Sequence, residues 1–286
     1  LLISSVDYTE DIRFSDELIK QVGESYRKIR NTYRFMLGNL FDFEPSNKID
    51  YKDMPEYDKY MIVKLNETVK TIKEAYENYN FQEVYKTVNN YINFTLSNFY
   101  LDFTKDILYI EKNDSLKRRS VQTVLYENVK TLSILLAPIL PYTSEEVYKR
   151  LKENKDSVHL EDNPKVKEIK DSEEILNNWN KFFEIKDDVY KALENARNEK
   201  EIGKGLEARV YLKVTDEYKT AISDLNLKQL LIVSDVILTE ETLTKYNVCE
   251  VKVEKFDGSK CERCWNYYNE EEMVGNICKR CNDVVK

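Results

Sequence analysis

Apolar residues recur every three to four positions through the first half of the chain, the spacing of helices that bury one face. In SDELIKQVGESYRKIRNTYRFMLGNL, the residues Leu18, Val22, Ile29, Tyr33, Met36 and Leu40 fall on one stripe. Ser15 is placed to cap the first turn, Asp16 and Glu17 favour its positive end, and Gly38-Asn39 supplies the stop. A second helix is predicted after Pro55, burying Met61, Leu65, Ile72 and Tyr76. A third starts at about Phe81 with Val84, Tyr85, Val88, Ile92, Thr95 and Phe99 inward, and a fourth at about Leu116 with Val121, Leu125, Val129 and Leu132. Four amphipathic helices in succession predict a helix bundle. Pro138 and Pro141 break the fourth, and Thr143 with Glu146 reads as a T-x-x-E capping box that opens a short fifth.

A polar stretch from about Lys152 to Lys170 leads to another helix, with Ile175, Trp179, Phe182, Ile185, Val189 and Leu193 on its stripe. From GKG onward the period changes. LEARVYLKV and QLLIVSDVIL have strand character, with a short helix between them around Tyr218 to Leu225. VCEVKVEKF alternates like an exposed strand, with Val251 and Val253 on one face and Lys252 and Glu254 on the other. The expected fold is mainly α: a helical bundle over 1–153, a helical connector over 154–200, a small α+β junction domain over 201–256 and a cysteine-bearing module over 257–286.

Composition supports long helices, because the 286 residues include only 6 Gly and 5 Pro while 34% are charged. The net charge of −8 weighs only weakly against a nucleic-acid partner, since a local patch makes the contact. No apolar run has the length to span a bilayer. The opening LLISSVDYTED lacks a basic region and cleavage pattern, and reads like a chain cut within a longer protein. A cytoplasmic protein without a membrane partner is expected, which disfavours structural disulfides.

Against that background the cysteines stand out. Cys261, Cys264, Cys278 and Cys281 form C-x2-C-x13-C-x2-C. Each pair straddles a tight turn and points two sulfurs at one ion, the pattern of a closed, structural zinc site. Lys260, Arg263, Lys279 and Arg280 flank the ligands and offset the charge of four thiolates. A redox pair would need a single C-x-x-C, and the ferredoxin spacing is missing. So short a segment buries little core, so metal binding has to fold it. Cys249 lies outside the spacing and reads as an ordinary small side chain.

Two further features carry open alternatives. Arg27, Arg30 and Arg34, with Asn31 beside them, share a helix face opposite the apolar stripe. Such a row suits a phosphate backbone, but it equally suits a solvated face with ion pairs to Asp16 and Glu24. Trp265 either packs a minimal core or offers a stacking face to an unpaired base. His159 has no nucleophile or carboxylate partner and reads as structural; IGKG is not a phosphate-binding loop, and no catalytic constellation is visible.

SSVDYTEDIRFSDELIKQVGESYRKIRNTYRFMLGNL resembles the segment that follows the catalytic domain of bacterial isoleucyl-tRNA synthetases. LAPILPYTSEEVY is similar to the end of the anticodon-binding bundle of class Ia synthetases generally. ARNEKEIGKGLEARV and KCERCW with CKRC are similar to the C-terminal part of the isoleucine enzyme. The resemblance covers the whole chain in order. It implies an anticodon-binding helix bundle that grips the anticodon stem-loop of isoleucine tRNA, as a monomer. It also implies that the ATP-dependent catalytic domain and the editing domain lie elsewhere, so that this chain is inactive alone. By the resemblance Cys261, Cys264, Cys278 and Cys281 match zinc ligands, Arg263 and Trp265 match positions facing the anticodon, and Arg27, Arg30, Asn31 and Arg34 fall on the helix that opens the bundle. The loop from Trp265 to Ile277 is shorter than in many members. The competing reading is a zinc-stabilised helical protein–protein scaffold without RNA contact.

Overall fold

Capping and apolar spacing place most helices where the sequence puts them. The computed structural model describes residues 1–12, 14–152 and 155–286, and divides into two units, each described by itself. The expected boundary between 153 and 154 falls on Glu153 and Asn154, outside the described residues.

The first unit comprises Leu1–Thr104 and Asn113–Ile169. Its first helix, α1, spans Asp16–Gly38; the Ser15 hydroxyl accepts from the Leu18 N–H at 3.2 Å, and Asn39 caps the far end. Ile29, Tyr33 and Met36 are buried on its stripe, while Leu18 and Val22 nearer the start are only half-buried. Helix α2 (Glu56–Glu77) follows Pro55 and buries Met61, Leu65 and Ile72, and its Tyr76 hydroxyl donates to the Leu135 carbonyl at 2.8 Å. Helix α3 (Phe81–Asn90), capped by Asn80, runs directly into a ten-residue π-helix, Tyr91–Tyr100, and on into α4 (Leu101–Ile110). The wider π turn changes which residues face inward. Tyr91, Ile92, Leu96, Phe99 and Tyr100 are buried, whereas Thr95, expected in the core from an α period, is only half-buried.

Helix α5 (Leu116–Leu136) is buried nearly all round, and α6 spans Pro141–Tyr148. The predicted capping box at Thr143 and Glu146 is not formed. Pro141 takes the first helical position, which suits its fixed φ, so the helix starts earlier than expected with Leu140 at its cap. Thr143 is thereby inside the helix, its hydroxyl 3.0 Å from that of Tyr26, and Glu146 turns to Arg30.

The second unit comprises Lys105–Lys112 and Lys170–Lys286. Helix α7 (Ser172–Asn198) buries Ile175, Trp179, Phe182, Ile185, Val189 and Leu193, the stripe read from sequence. It packs on a four-stranded sheet of order β2-β1-β4-β3. These strands are β1 (Ala208–Lys213), β2 (Asp235–Leu238), β3 (Thr244–Lys245) and β4 (Glu250–Lys255). β1 runs parallel to β2 and antiparallel to β4, so β4 is an interior strand. Helix α8 (Asp216–Ile222) lies between the first two strands in sequence. QLLIVSDVIL departs from its predicted strand. Its first residues complete helix α9 (Leu227–Leu231), in which Leu227, Leu230 and Leu231 bury one face, and Ile232 ends it in the left-handed region at φ 55°. A run of apolar residues this short has no period that separates helix from strand. No helix among the described residues is long and apolar enough to cross a membrane.

One buried acid has a measurable consequence. Asp58, fully buried in α2, accepts a short hydrogen bond from the Tyr100 hydroxyl, and its other oxygen has no partner among the described residues. Burial pushes its carboxyl up to about 7, and the Tyr100 hydrogen bond, which favours the ionised form, does not offset it. The folded state therefore holds this proton where the unfolded state releases it, so the contribution of Asp58 falls as pH rises from about 4 to about 7. The fall amounts to roughly 4 kcal/mol at most. Urea unfolding of the wild type and of Asp58→Asn across that range should show the slope in the first and a flatter profile in the second.

Candidate metal centre and nucleic-acid interface

Two hairpins and a short helix build the cysteine module. Strands β5 (Ser259–Lys260) and β6 (Tyr267–Tyr268) flank the first cysteine pair; β7 (Met273–Val274), β8 (Ile277–Cys278) and helix α10 (Lys279–Val285) carry the second. Gly258 is required at the entrance, because a Cβ there would lie 2.5 Å from the Tyr268 carbonyl oxygen. Gly275 turns the second hairpin at φ +62°. The first knuckle closes through Trp265 N–H to the Cys261 carbonyl and Cys261 N–H to the Asn266 carbonyl, both 2.9 Å.

These turns bring the sulfurs of Cys261, Cys264, Cys278 and Cys281 within 4.8 Å of one another, all in buried residues and none in a disulfide. Burial pushes the Cys261 thiol up, but the backbone N–H groups of Cys264, Cys278 and Arg263 outweigh it and bring it down to about 6. Burial instead raises Cys264 and Cys281. Four sulfurs so close cannot all ionise without a cation among them, and a dication is what the donor set accepts. Two buried guanidinium atoms without partners among the described residues, Arg263 Nη1 and Arg280 Nε, add positive charge beside the cluster. The cluster fits one structural zinc. With four protein ligands it leaves no open position for a substrate.

Arg280 does more than balance charge. It makes a bidentate pair with Asp106 at 2.7 Å on both arms, and Ile110, one turn further along α4, packs into the cysteine core. Arg263, which flanks the ligands and by the resemblance matches a position facing the anticodon, is half-buried, and its guanidinium favours the ionised form of Cys281. Trp265 is not a core residue. It is 61% exposed, and Lys260 Nζ lies 5.8 Å from its ring centroid. Its φ of 64° is a conformation that costs a bulky residue roughly 1–2 kcal/mol. Cys249 is separate and inert: burial, then the charge of Asp188, pushes its thiol up to about 12.

The other candidates line α1. Arg27, Arg30, Asn31 and Arg34 are all exposed. Arg30 lies 3.6 Å from Glu146 and hydrogen-bonds the Tyr26 hydroxyl, in place of the expected pairs with Asp16 and Glu24. Arg27 and Arg34 make no ion pair among the described residues. Sequence reasoning missed a groove of about 620 Å³ between α1 and α6, lined by Arg34, Leu37, Phe41, Tyr126, Val147 and Arg150 among others. Its contributors come from three distant segments; the one local signal was an aromatic in the polar loop FDFEPSN.

Replacing Cys281 with Ser should reduce bound zinc from about one equivalent and remove amide protection over 258–284, while α1 to α3 keep theirs. Metal stoichiometry and hydrogen exchange read both. Arg280→Ala should retain the zinc but lower stability by about 1–3 kcal/mol in chemical denaturation, through the lost charge-assisted bonds to Asp106.

The pattern of the family described as "Anticodon-binding domain of tRNA ligase" matches residues 58–212, and that described as "Zinc finger found in FPG and IleRS" matches residues 258–284. Isoleucine–tRNA ligases of Listeria innocua, Staphylococcus carnosus and Geobacillus kaustophilus are 48%, 49% and 45% identical to it across the whole chain. The chain covers 32%, 32% and 33% of those proteins, about a third of the length of the curated relatives it matches. The helices from α2 onward fall in the first match and the four cysteines in the second, and the chain belongs to the anticodon-binding domain family of tRNA ligases, with the zinc finger found in FPG and IleRS at its end.

Proposed function

We propose that this chain is the tRNA-binding C-terminal part of an isoleucine–tRNA ligase. It grips the anticodon stem-loop of isoleucine tRNA, as a monomer in the cytoplasm, while an ATP-dependent catalytic domain elsewhere in the full-length protein attaches isoleucine. The observation that carries this reading is the exposed row of Arg27, Asn31 and Arg34 on α1, whose two cations lack carboxylate partners among the described residues. Cations left unpaired on a rigid helix keep their field for an external anion, and a phosphate backbone presents one at every nucleotide. Trp265, held out on the zinc knuckle in a strained conformation, supplies the kind of aromatic face on which an unpaired base stacks. Arg263 then acts indirectly, by favouring the ionised form of Cys281 in the cage that carries the tryptophan.

Filter binding should show isoleucine tRNA held more tightly than an unrelated tRNA, with affinity falling as salt rises. Arg27→Gln with Arg34→Gln should lower affinity and reduce the salt slope by roughly 2. Equal affinity for both tRNAs would refute the specificity, and no affinity for either would favour a protein–protein scaffold. Trp265→Ala should cost about 1–3 kcal/mol of binding with the zinc content unchanged.

A further inference from the structure

The four sulfurs of the cysteine cage do not share one environment. Cys261, Cys278 and Cys281 are at most 1% exposed, and Cys264, at 9%, is the least buried of the set. Their hydrogen-bond donors differ as well. Cys261 Sγ accepts the Cys278 N–H at 3.3 Å, and Cys278 Sγ accepts the Cys281 N–H at 3.5 Å. Both donors belong to the main chain and are fixed by the knuckle turns. Cys264 Sγ lies 3.6 Å from the Tyr268 hydroxyl. A thiolate that ligates a metal carries no proton, so in the loaded cage the hydroxyl is the donor.

Tyr268 is held where it can do this. Its main chain pairs with Ser259 across the first hairpin, and its side chain packs against the cage with Met273 and Ile277. The same hydroxyl also acts on Cys278, which is 1% exposed and so out of reach of a reagent. Behind it stands Arg280, held by Asp106 with two bonds of 2.7 Å, its charge acting on both Tyr268 and Cys264. A metal-bound thiolate remains a nucleophile, and hydrogen bonds and cations that draw charge from the sulfur lower its reactivity. Exposure and charge therefore oppose each other at Cys264. It is the cage residue that a small reagent reaches first, and a single side chain restrains it.

We propose that Cys264 is a modification site, the point at which small soft electrophiles attack the zinc cage, and that Tyr268 is the positioning residue whose hydroxyl restrains the reaction. The electron pair of the Cys264 sulfur forms a bond to the electrophilic carbon while the bond from that carbon to its leaving group breaks, and the leaving group departs with that pair. The product is a neutral thioether. The cage thereby loses one of its four anionic ligands, and the finger loses the binding energy that folds it. Trp265, displayed on the same knuckle, loses its support.

The test loads the full chain with zinc and adds iodoacetamide below stoichiometry, so that iodide is the leaving group. Peptide mass spectrometry should find the first carbamidomethyl group on Cys264, and a chromogenic chelator should report zinc release at the rate of that labelling. Cys249, buried and with its thiol pushed up to about 12, should stay unlabelled and serves as the reference. Tyr268→Phe keeps the ring and removes the hydroxyl. It should raise the Cys264 rate about 3- to 10-fold, the scale of one lost hydrogen bond, with zinc content unchanged. A finger merely loosened by the substitution would admit the reagent to all the cage sulfurs alike, so the deciding readout is the ratio of Cys264 to Cys261 labelling, which should rise by the same factor. A first label on any other cysteine of the wild type overturns the site. An unchanged Cys264 rate in Tyr268→Phe, equal acceleration at every cage sulfur, or loss of zinc by that variant overturns the restraint by Tyr268. No RNA takes part, so each of these results leaves the proposed tRNA-binding role standing.

Discussion

Helix α5 is covered on nearly every side, yet Arg118, Gln122, Thr123 and Asn128 on it are polar. A buried polar group has to find a partner, and on this helix the partners are the segments that wrap it. Arg118 and Gln122 take the turn after α1, Thr123 accepts from the Ile49 N–H at 3.0 Å, and Asn128 accepts from the Tyr91 hydroxyl at 2.6 Å. The helical unit is therefore fastened from its centre outward. Burial would leave any of these groups stranded if its segment moved, so the segments stay. The groove, the rim residue Phe41 and the basic face of α1 inherit their rigidity from that requirement.

The second unit solves a different problem. Its terminal finger is too short to bury a core of its own, so four sulfurs around a cation replace one. Concentrated thiolate charge then needs compensation, which Arg263 and Arg280 provide from either knuckle. Arg280 spends its remaining donors on Asp106, and Ile110 fills the apolar side of the cluster. Metal chemistry, counter-charge and docking onto the end of α4 thus form one arrangement, and Trp265 is displayed as a by-product of the knuckle's tight turn.

The first unit presents exposed cations without carboxylate partners among the described residues on α1, and the second presents the exposed ring of Trp265 on the cysteine knuckle. The net charge of −8 does not oppose this. Acidic residues pair locally, as Glu146 does with Arg30 and Glu44 with Lys152, while the arginines that lack such partners sit together.

Local physics was legible in the residues alone. Ser15 and Gly38-Asn39 bound α1 as their capping chemistry dictates, the stripe from Ile175 to Leu193 is buried as spaced, and two C-x-x-C turns announce a metal cage. All of these depend on neighbours within a few positions. The π turn that replaced Thr95 with Leu96 in the core, the helical start of QLLIVSDVIL and the early start of α6 were not legible, because in each the packing of distant segments outweighs a weak local preference. Tertiary structure alone brought Arg280 to Asp106 across 174 positions and assembled the groove from α1, its following turn and α6. Periodicity says which face of an element is buried; what that face meets is decided only when the elements pack, and there the candidate sites acquire their geometry.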